Sequence, residues 1–305
     1  MNKRPDMSVT IAGVTFKNPV MTASGTFGSG MEYGQFVDLG RLGAVVTKGV
    51  SSVPWAGNRT PRVAEVYGGM LNAIGLQNPG IDVFIERDLA FLKDFDTRVI
   101  VNVCGKTEEE YLEVVRRLQD QPVDMLEINV SCPNVKEGAI AFGQNPEALY
   151  EITRKIKAEA AQPVIMKLTP NVTDITVTAR AAQDGGADAI SLINTITGMK
   201  IDIEKQTFVL ANKTGGLSGP AIKPVAVRMV YQAAQAVSIP IIGMGGISCA
   251  EDAIEFMLAG ASAVAAGAMN FHNPYLTEQL VDGIEEYLIR HGIGAARDLT
   301  GAVHS

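Results

Sequence analysis

Eight short runs of β-branched and other apolar residues recur between positions 20 and 267, each separated from the next by a longer stretch with helical punctuation. They fall near 20–24, 44–48, 98–104, 124–131, 163–168, 188–193, 240–243 and 262–267. Each is nearly continuous in apolar residues, the pattern of a strand covered on both faces and therefore of a parallel sheet flanked by helices. The stretches between them carry start and stop signals. Thr107 with Glu110 and Ser248 with Glu251 read as capping boxes, Asn145-Pro146 as an N-cap followed by proline, and Gly185 and Gly260 as helix ends. Eight strands with eight helices predict an α/β chain closed into a (β/α)8 (TIM) barrel, one domain over 1–305. A doubly wound open sheet needs a G-x-G-x-x-G turn, and Gly25-Thr26-Phe27-Gly28-Ser29-Gly30 misses that spacing. Ahead of the first strand, 7–16, centred on Ala12-Gly13, reads as a small hairpin over the bottom of the barrel.

Charge and cysteine content narrow the function classes. Lys and Arg number 26 against 33 Asp and Glu, a net charge of −7, so no global field draws the chain to nucleic acid. Cys104, Cys132 and Cys249 are far apart and never in C-x-x-C spacing, which fits neither a disulfide framework nor a metal or iron–sulfur site. No stretch reads as a signal peptide or a spanning helix, and a reducing cytoplasm is the expected location, with no membrane association.

Three connections after strand ends, 49–79, 131–144 and 194–220, are too long to be plain linkers, and strand C-termini are where a barrel keeps its active site. Alternation along Leu126-Glu127-Ile128-Asn129-Val130-Ser131 puts the apolar residues against the helices and Glu127, Asn129 and Ser131 inside the barrel. The same test places Asn102 and Lys167 inside. Buried lysine and amide groups are costly unless partnered, so a polar ligand across the barrel mouth accounts for them; the plainer alternative pairs Lys167 with Glu127 and leaves the asparagines to loop backbone. The glycine-rich ends of the last two strands, Gly243-Met244-Gly245-Gly246-Ile247-Ser248 and Ala266-Gly267-Ala268-Met269, stand where barrels bind phosphate through backbone N–H groups. Cys104 and Cys249 read as small buried hydrophobes. Cys132 begins a long loop beside amides and lysines, and two roles are open to it, nucleophile or general base. His272, His291 and His304 offer no evident activator, which favours a thiol acting as proton acceptor in an oxidation.

The segments Asn129-Val130-Ser131-Cys132-Pro133-Asn134, Lys48-Gly49, Asn72-Ala73-Ile74-Gly75-Leu76-Gln77-Asn78, Met166-Lys167-Leu168, Asn194-Thr195 and Gly243-Met244-Gly245-Gly246-Ile247 together resemble the class 1 dihydroorotate dehydrogenases, in order and over nearly the whole chain. The opening Lys17-Asn18-Pro19-Val20-Met21-Thr22-Ala23-Ser24-Gly25-Thr26-Phe27-Gly28 is similar to the class 1B catalytic subunit. The resemblance implies FMN on the barrel and oxidation of dihydroorotate to orotate in pyrimidine synthesis. It implies Cys132 as the base for the C5 proton, and substrate contacts from Lys48, Asn72, Ala73, Ile74, Gly75, Leu76, Asn129, Asn134, Asn194 and Thr195. FMN is expected at Ser24, Lys48, Gly49, Asn102, Asn129, Lys167, Ile193, Gly219, Gly245, Gly246, Gly267 and Ala268. A partner subunit carrying FAD and a [2Fe–2S] cluster, passing electrons to NAD, and a homodimer within a heterotetramer are also implied. Lys167 suits a site where negative charge grows on a reduced flavin, and Lys48 suits a substrate carboxylate.

Three rivals are open on the sequence: a class 1A homodimer using fumarate, a Schiff-base aldolase built on Lys167, and a tRNA-modifying flavin reductase. The aldolase leaves Cys132 and the asparagines unexplained, and the reductase needs a basic surface that a net charge of −7 does not supply.

Overall fold

The computed structural model describes residues 4–131 and 142–304. Its centre is a closed barrel of eight parallel strands in chain order: β1 (Val20–Thr22), β2 (Ala44–Val46), β3 (Arg98–Val103), β4 (Met125–Asn129), β5 (Val164–Lys167), β6 (Ala189–Leu192), β7 (Ile241–Met244) and β8 (Ala263–Ala266), which pairs back to β1. All eight lie within or across the apolar runs read from the sequence. Both faces of these strands are buried, the outer one under the crossover helices, and burial on both sides is why their sequences do not alternate.

Among the described residues, six of the crossovers carry an α-helix, and a seventh helix follows β8. The first of these is α1, built from Ile81–Val83, a π-helical stretch Phe84–Leu89 and Ala90–Leu92. Then come α2 (Glu108–Leu118), α3 (Pro146–Glu159), α4 (Ile175–Asp184), α5 (Lys223–Ala234), α6 (Ala250–Leu258) and α7 (Leu276–His291). The expected eighth α-helix, between β1 and β2, is replaced by two 3-10 turns, Tyr33–Gln35 and Leu39–Arg41. Five glycines between 25 and 40 explain the difference, since glycine is the poorest helix former after proline. Caps follow the sequence for α2, where Thr107 accepts from Glu110 N–H, and for α3, where Asn145 accepts from Glu147 and Ala148 N–H. At α6 the box shifts: Cys249 is the N-cap residue, and Asp252, not Glu251, takes the Ser248 N–H. Cys249 is exposed there, contrary to the expectation that it is buried; Cys104 is buried as expected.

The N-terminal hairpin pairs Val9–Ile11 with Val14–Phe16, turning at Ala12 and Gly13, both with positive φ as the tight turn requires. Arg98 at the start of β3 donates to Thr15 O, and Lys17 Nζ donates to Gly40 O and Asp96 O, so the hairpin lies at the strand N-termini.

Two of the long connections are not loops but one sheet. Ile196–Met199 pairs with Thr214–Ser218, which pairs with Gly69–Asn72, which pairs with Val63–Val66, all antiparallel. This sheet stands on the C-terminal face of the barrel and walls one side of its mouth. Among the described residues, no helix is long and apolar enough to cross a membrane.

Candidate active site

Parallel pairing brings Asn102 on β3 beside Glu127 on β4, and Lys167 on β5 beside Asn129 on one side and Ser191 on the other. In parallel strands such neighbours face the same way, so the polar residues predicted to point inward meet inside the barrel. Glu127, 1% exposed, is their hub. Its Oε1 accepts from Asn102 Nδ2 at 2.6 Å and Lys167 Nζ at 3.2 Å, and its Oε2 from Ser191 Oγ at 2.7 Å. Three donors satisfy a carboxylate that burial would otherwise penalise heavily. The pairing of Lys167 with Glu127 is therefore present, yet the lysine also borders the cavity.

That cavity, about 670 Å³, opens at the strand C-termini. Ser24, Lys48, Asn72, Ala73, Ile74, Gly75, Leu76, Asn129, Lys167, Ile193, Asn194, Thr195, Gly219, Gly245, Gly246, Gly267 and Ala268 all line it. Gly49 and Asn102 are not among its lining residues. A Cβ on Gly49 would stand 2.9 Å from Asn102 Oδ1, and that oxygen is buried without a hydrogen-bond partner among the described residues. Cys132 and Asn134 fall outside the described residues.

Each wall is held from behind. Asn129 Oδ1 accepts from Asn194 Nδ2 at 3.2 Å, and the Asn129 carbonyl accepts from Tyr111 OH at 2.8 Å. Asn58 carries the 72–76 segment: its Nδ2 donates to Ala73 O and its N–H to Ile74 O, both at 2.9 Å. Asn171 Nδ2 donates to Thr195 O at 3.0 Å while its Oδ1 accepts from Thr197 N–H at 2.9 Å. Asn58, Thr169 and Asn171 also line the cavity and are not among the residues expected from the sequence, whereas Gln77, which lines it too, belongs to the 72–78 segment that carries the resemblance. The Pro170-Asn171 step, separated from the end of the fifth strand by Leu168 and Thr169, is a usable signal, because strand-end amides are placed over a barrel mouth; Asn58 lies in an irregular stretch with no period to mark it.

Electrostatics favour an anion. Among the described residues, Lys48 and Lys167 are the two lysines on the cavity wall. Burial pulls the Lys48 pKa below the ordinary lysine value, with the charges of Lys167 and Arg62 adding to the effect and Cys104 opposing it. At the far edge, Gly246 has φ +78°, and a Cβ there would meet Gly219 O at 2.7 Å, so only glycine lets the two backbones close.

A (β/α)8 barrel with a cationic, amide-lined cavity at its strand C-termini and glycine junctions after β6, β7 and β8 is the architecture of barrel enzymes that bind a phosphorylated ligand. Comparison with known proteins makes this specific. The sequence profile of the dihydroorotate dehydrogenase family matches residues 6–288, and the chain belongs to that family. It is 69% identical to the "dihydroorotate dehydrogenase B (NAD(+)), catalytic subunit" of Lachnoclostridium phytofermentans, over 97% of this chain and 99% of that one. The protein of the same name from Alkaliphilus metalliredigens is 59% identical over 98% of this chain and 99% of the relative. The crystal structure of the Eimeria tenella DHODH with ferulenol superposes with a TM-score of 0.81 at 24% identity, covering 97% of this chain and 88% of that one, which shows the shared fold.

Proposed function

We propose that this chain, as a single barrel domain, oxidises dihydroorotate to orotate in pyrimidine synthesis, with FMN in its cavity and NAD as the final acceptor through a partner subunit. The observation that carries the reading is that one cavity has a lysine ammonium at its floor and a glycine cradle at its edge, the two ends a planar phosphorylated cofactor needs. The unpartnered Asn102 Oδ1 is consistent with a ligand donor reaching it.

FMN fits these residues. Gly219, Gly245, Gly246, Gly267 and Ala268 would hold its phosphate through backbone N–H groups, and Ser24, Lys48, Gly49, Asn102, Asn129, Lys167 and Ile193 its ring system. When bound it supplies a two-electron acceptor for the substrate hydride. The residues of the chain do the rest. Lys48 neutralises the substrate carboxylate. The amides of Asn72, Asn129, Asn134 and Asn194, with Thr195, match the donors and acceptors along a pyrimidine edge, and the 72–76 backbone closes one side. Cys132 takes the C5 proton on its sulfur. Lys167, held by Glu127, offers positive charge where the acceptor gains negative charge.

The names of the close relatives support a catalytic subunit of a larger NAD-linked assembly. We assign FAD and [2Fe–2S] to the partner, place two copies of this chain in a heterotetramer, and locate it in the cytoplasm. The test is spectral and kinetic. Purified chain should carry FMN absorption that bleaches anaerobically with dihydroorotate, and NAD-dependent orotate formation should start only when a flavin and iron–sulfur subunit is added. Protein that neither holds nor takes up FMN would end the reading; full turnover of the isolated chain with fumarate would overturn the NAD linkage alone.

A further inference from the structure

Two strand-to-helix junctions meet at the glycine edge of the cavity, and one carboxylate outside the cavity joins them. The first junction runs from Gly219 through the 3-10 turn Pro220–Ile222 into α5, which starts at Lys223. The second runs from Gly245-Gly246 through Ser248 into α6. The two are in backbone contact, since a Cβ on Gly246 would sit 2.7 Å from Gly219 O and 3.0 Å from Lys223 N. Asp252, in the first turn of α6 and 8% exposed, reaches both sides. Its Oδ2 accepts from Ser248 N–H at 2.8 Å and Ser248 Oγ at 2.7 Å, and its Oδ1 from Lys223 Nζ at 2.7 Å.

A lysine beside an anion cradle is the obvious direct ligand, but Lys223 is turned away from it. Its ammonium is committed to Asp252 and, at 2.6 Å, to Glu255, and none of Lys223, Ser248, Asp252 or Glu255 lines the cavity. Hydrogen bonds to those two carboxylates hold its pKa above the usual lysine value, so it stays a fixed cation at working pH. Lys223 is thus a cross-link, and the anion is left to backbone N–H groups on the two junctions. Such donors bind well only when the loops carrying them are held at the right separation.

We propose that Asp252 is a positioning residue for the phosphate end of the cofactor site: by tying Ser248 to Lys223 it sets the spacing of the Gly219 and Gly245-Gly246 junctions, so that backbone donors from both converge on one anion. The proposal rests on the reading that this cavity takes FMN.

Asp252→Asn keeps the volume but removes the charge that Lys223 and Ser248 share. The assay titrates apo wild type and variant with FMN and with riboflavin, the same ring system without the phosphate, following quenching of flavin fluorescence. Asp252→Asn should bind FMN about tenfold more weakly, the lower end of what removing a supporting residue costs a ligand site, with riboflavin affinity held within about twofold. Glu255→Gln, which touches Lys223 from the half-exposed side, should leave both affinities within about twofold. Equal weakening of FMN and riboflavin, or unchanged FMN affinity, would overturn the proposal. If Asp252→Asn does not fold, Lys223→Met cuts the other end of the same bridge and must show the phosphate-selective loss; its absence overturns the proposal equally. Wild-type protein tests the parent reading by itself, because a chain that binds FMN no better than riboflavin does not hold the phosphate in this cradle.

Discussion

Replacing Lys167 with methionine removes the charge at the floor of the cavity and keeps most of the side chain's apolar length. Glu127 loses a contact of 3.2 Å but retains Asn102 Nδ2 at 2.6 Å and Ser191 Oγ at 2.7 Å. Two unit charges at 3.2 Å attract by about 5 kcal/mol at an effective dielectric of about 20. Desolvation of both groups offsets most of that attraction. The net cost of Lys167→Met to the apo protein should therefore be on the order of 1.5–3 kcal/mol, the range for one hydrogen bond to a charged group. Glu127→Ala is the heavier change. It strands all three donors at once, leaves Asn102 with neither amide atom paired among the described residues, and opens a cavity inside the barrel. Its cost should reach about 3–5 kcal/mol or more, as for other broken buried pairs. Urea unfolding of the two apo variants measures the asymmetry, and FMN titration completes the test: Lys167→Met should lose cofactor affinity out of proportion to its stability loss. A Lys167→Met protein destabilised as much as Glu127→Ala, yet binding FMN normally, would make the lysine only a structural partner of the carboxylate.

Cys132→Ser should slow anaerobic flavin reduction by dihydroorotate more than about a hundredfold, the usual worth of a general base, while FMN content is retained; a near wild-type rate in stopped-flow would assign the proton to another group. Lys48 has a lowered pKa because it is buried, with Lys167 and Arg62 nearby, so its charge is lost at a pH below that of an ordinary lysine. Orotate affinity should fall as pH rises into that window, and apo stability should rise there, because the unfolded chain holds the proton more tightly than the folded one. Lys48→Arg should flatten the affinity profile up to pH of about 10, and a wild-type profile already flat over that range would refute the role. Gly246→Ala forces a side chain into φ +78° and against Gly219 O, so the thermal midpoint of the apo protein and its FMN affinity should fall together.

The barrel was legible because its strands are covered on both faces and so appear as eight apolar runs, a signal that survives without any knowledge of partners. The hairpin at Ala12-Gly13 was legible because the turn chemistry is local. Alternation in 126–131 sufficed to send Glu127 and Asn129 inward, since the two-residue period of a strand leaves one face polar. Other features depended on segments far apart in the chain. The sheet over the barrel mouth joins Asn72 to Gly216, and its strands are rich in glycine and partly exposed, so neither a period nor a propensity marks them. Glu127 became the hub of three donors only when β3, β5 and β6 were laid beside β4. At the start of α6 the sequence points to Glu251 and not to Asp252, because it shows a capping pattern and not the lysine on α5 that Asp252 pairs with. Local chemistry determines strands, turns and which face is polar; the pairing of distant polar groups is decided by closure of the barrel, which sets their distances.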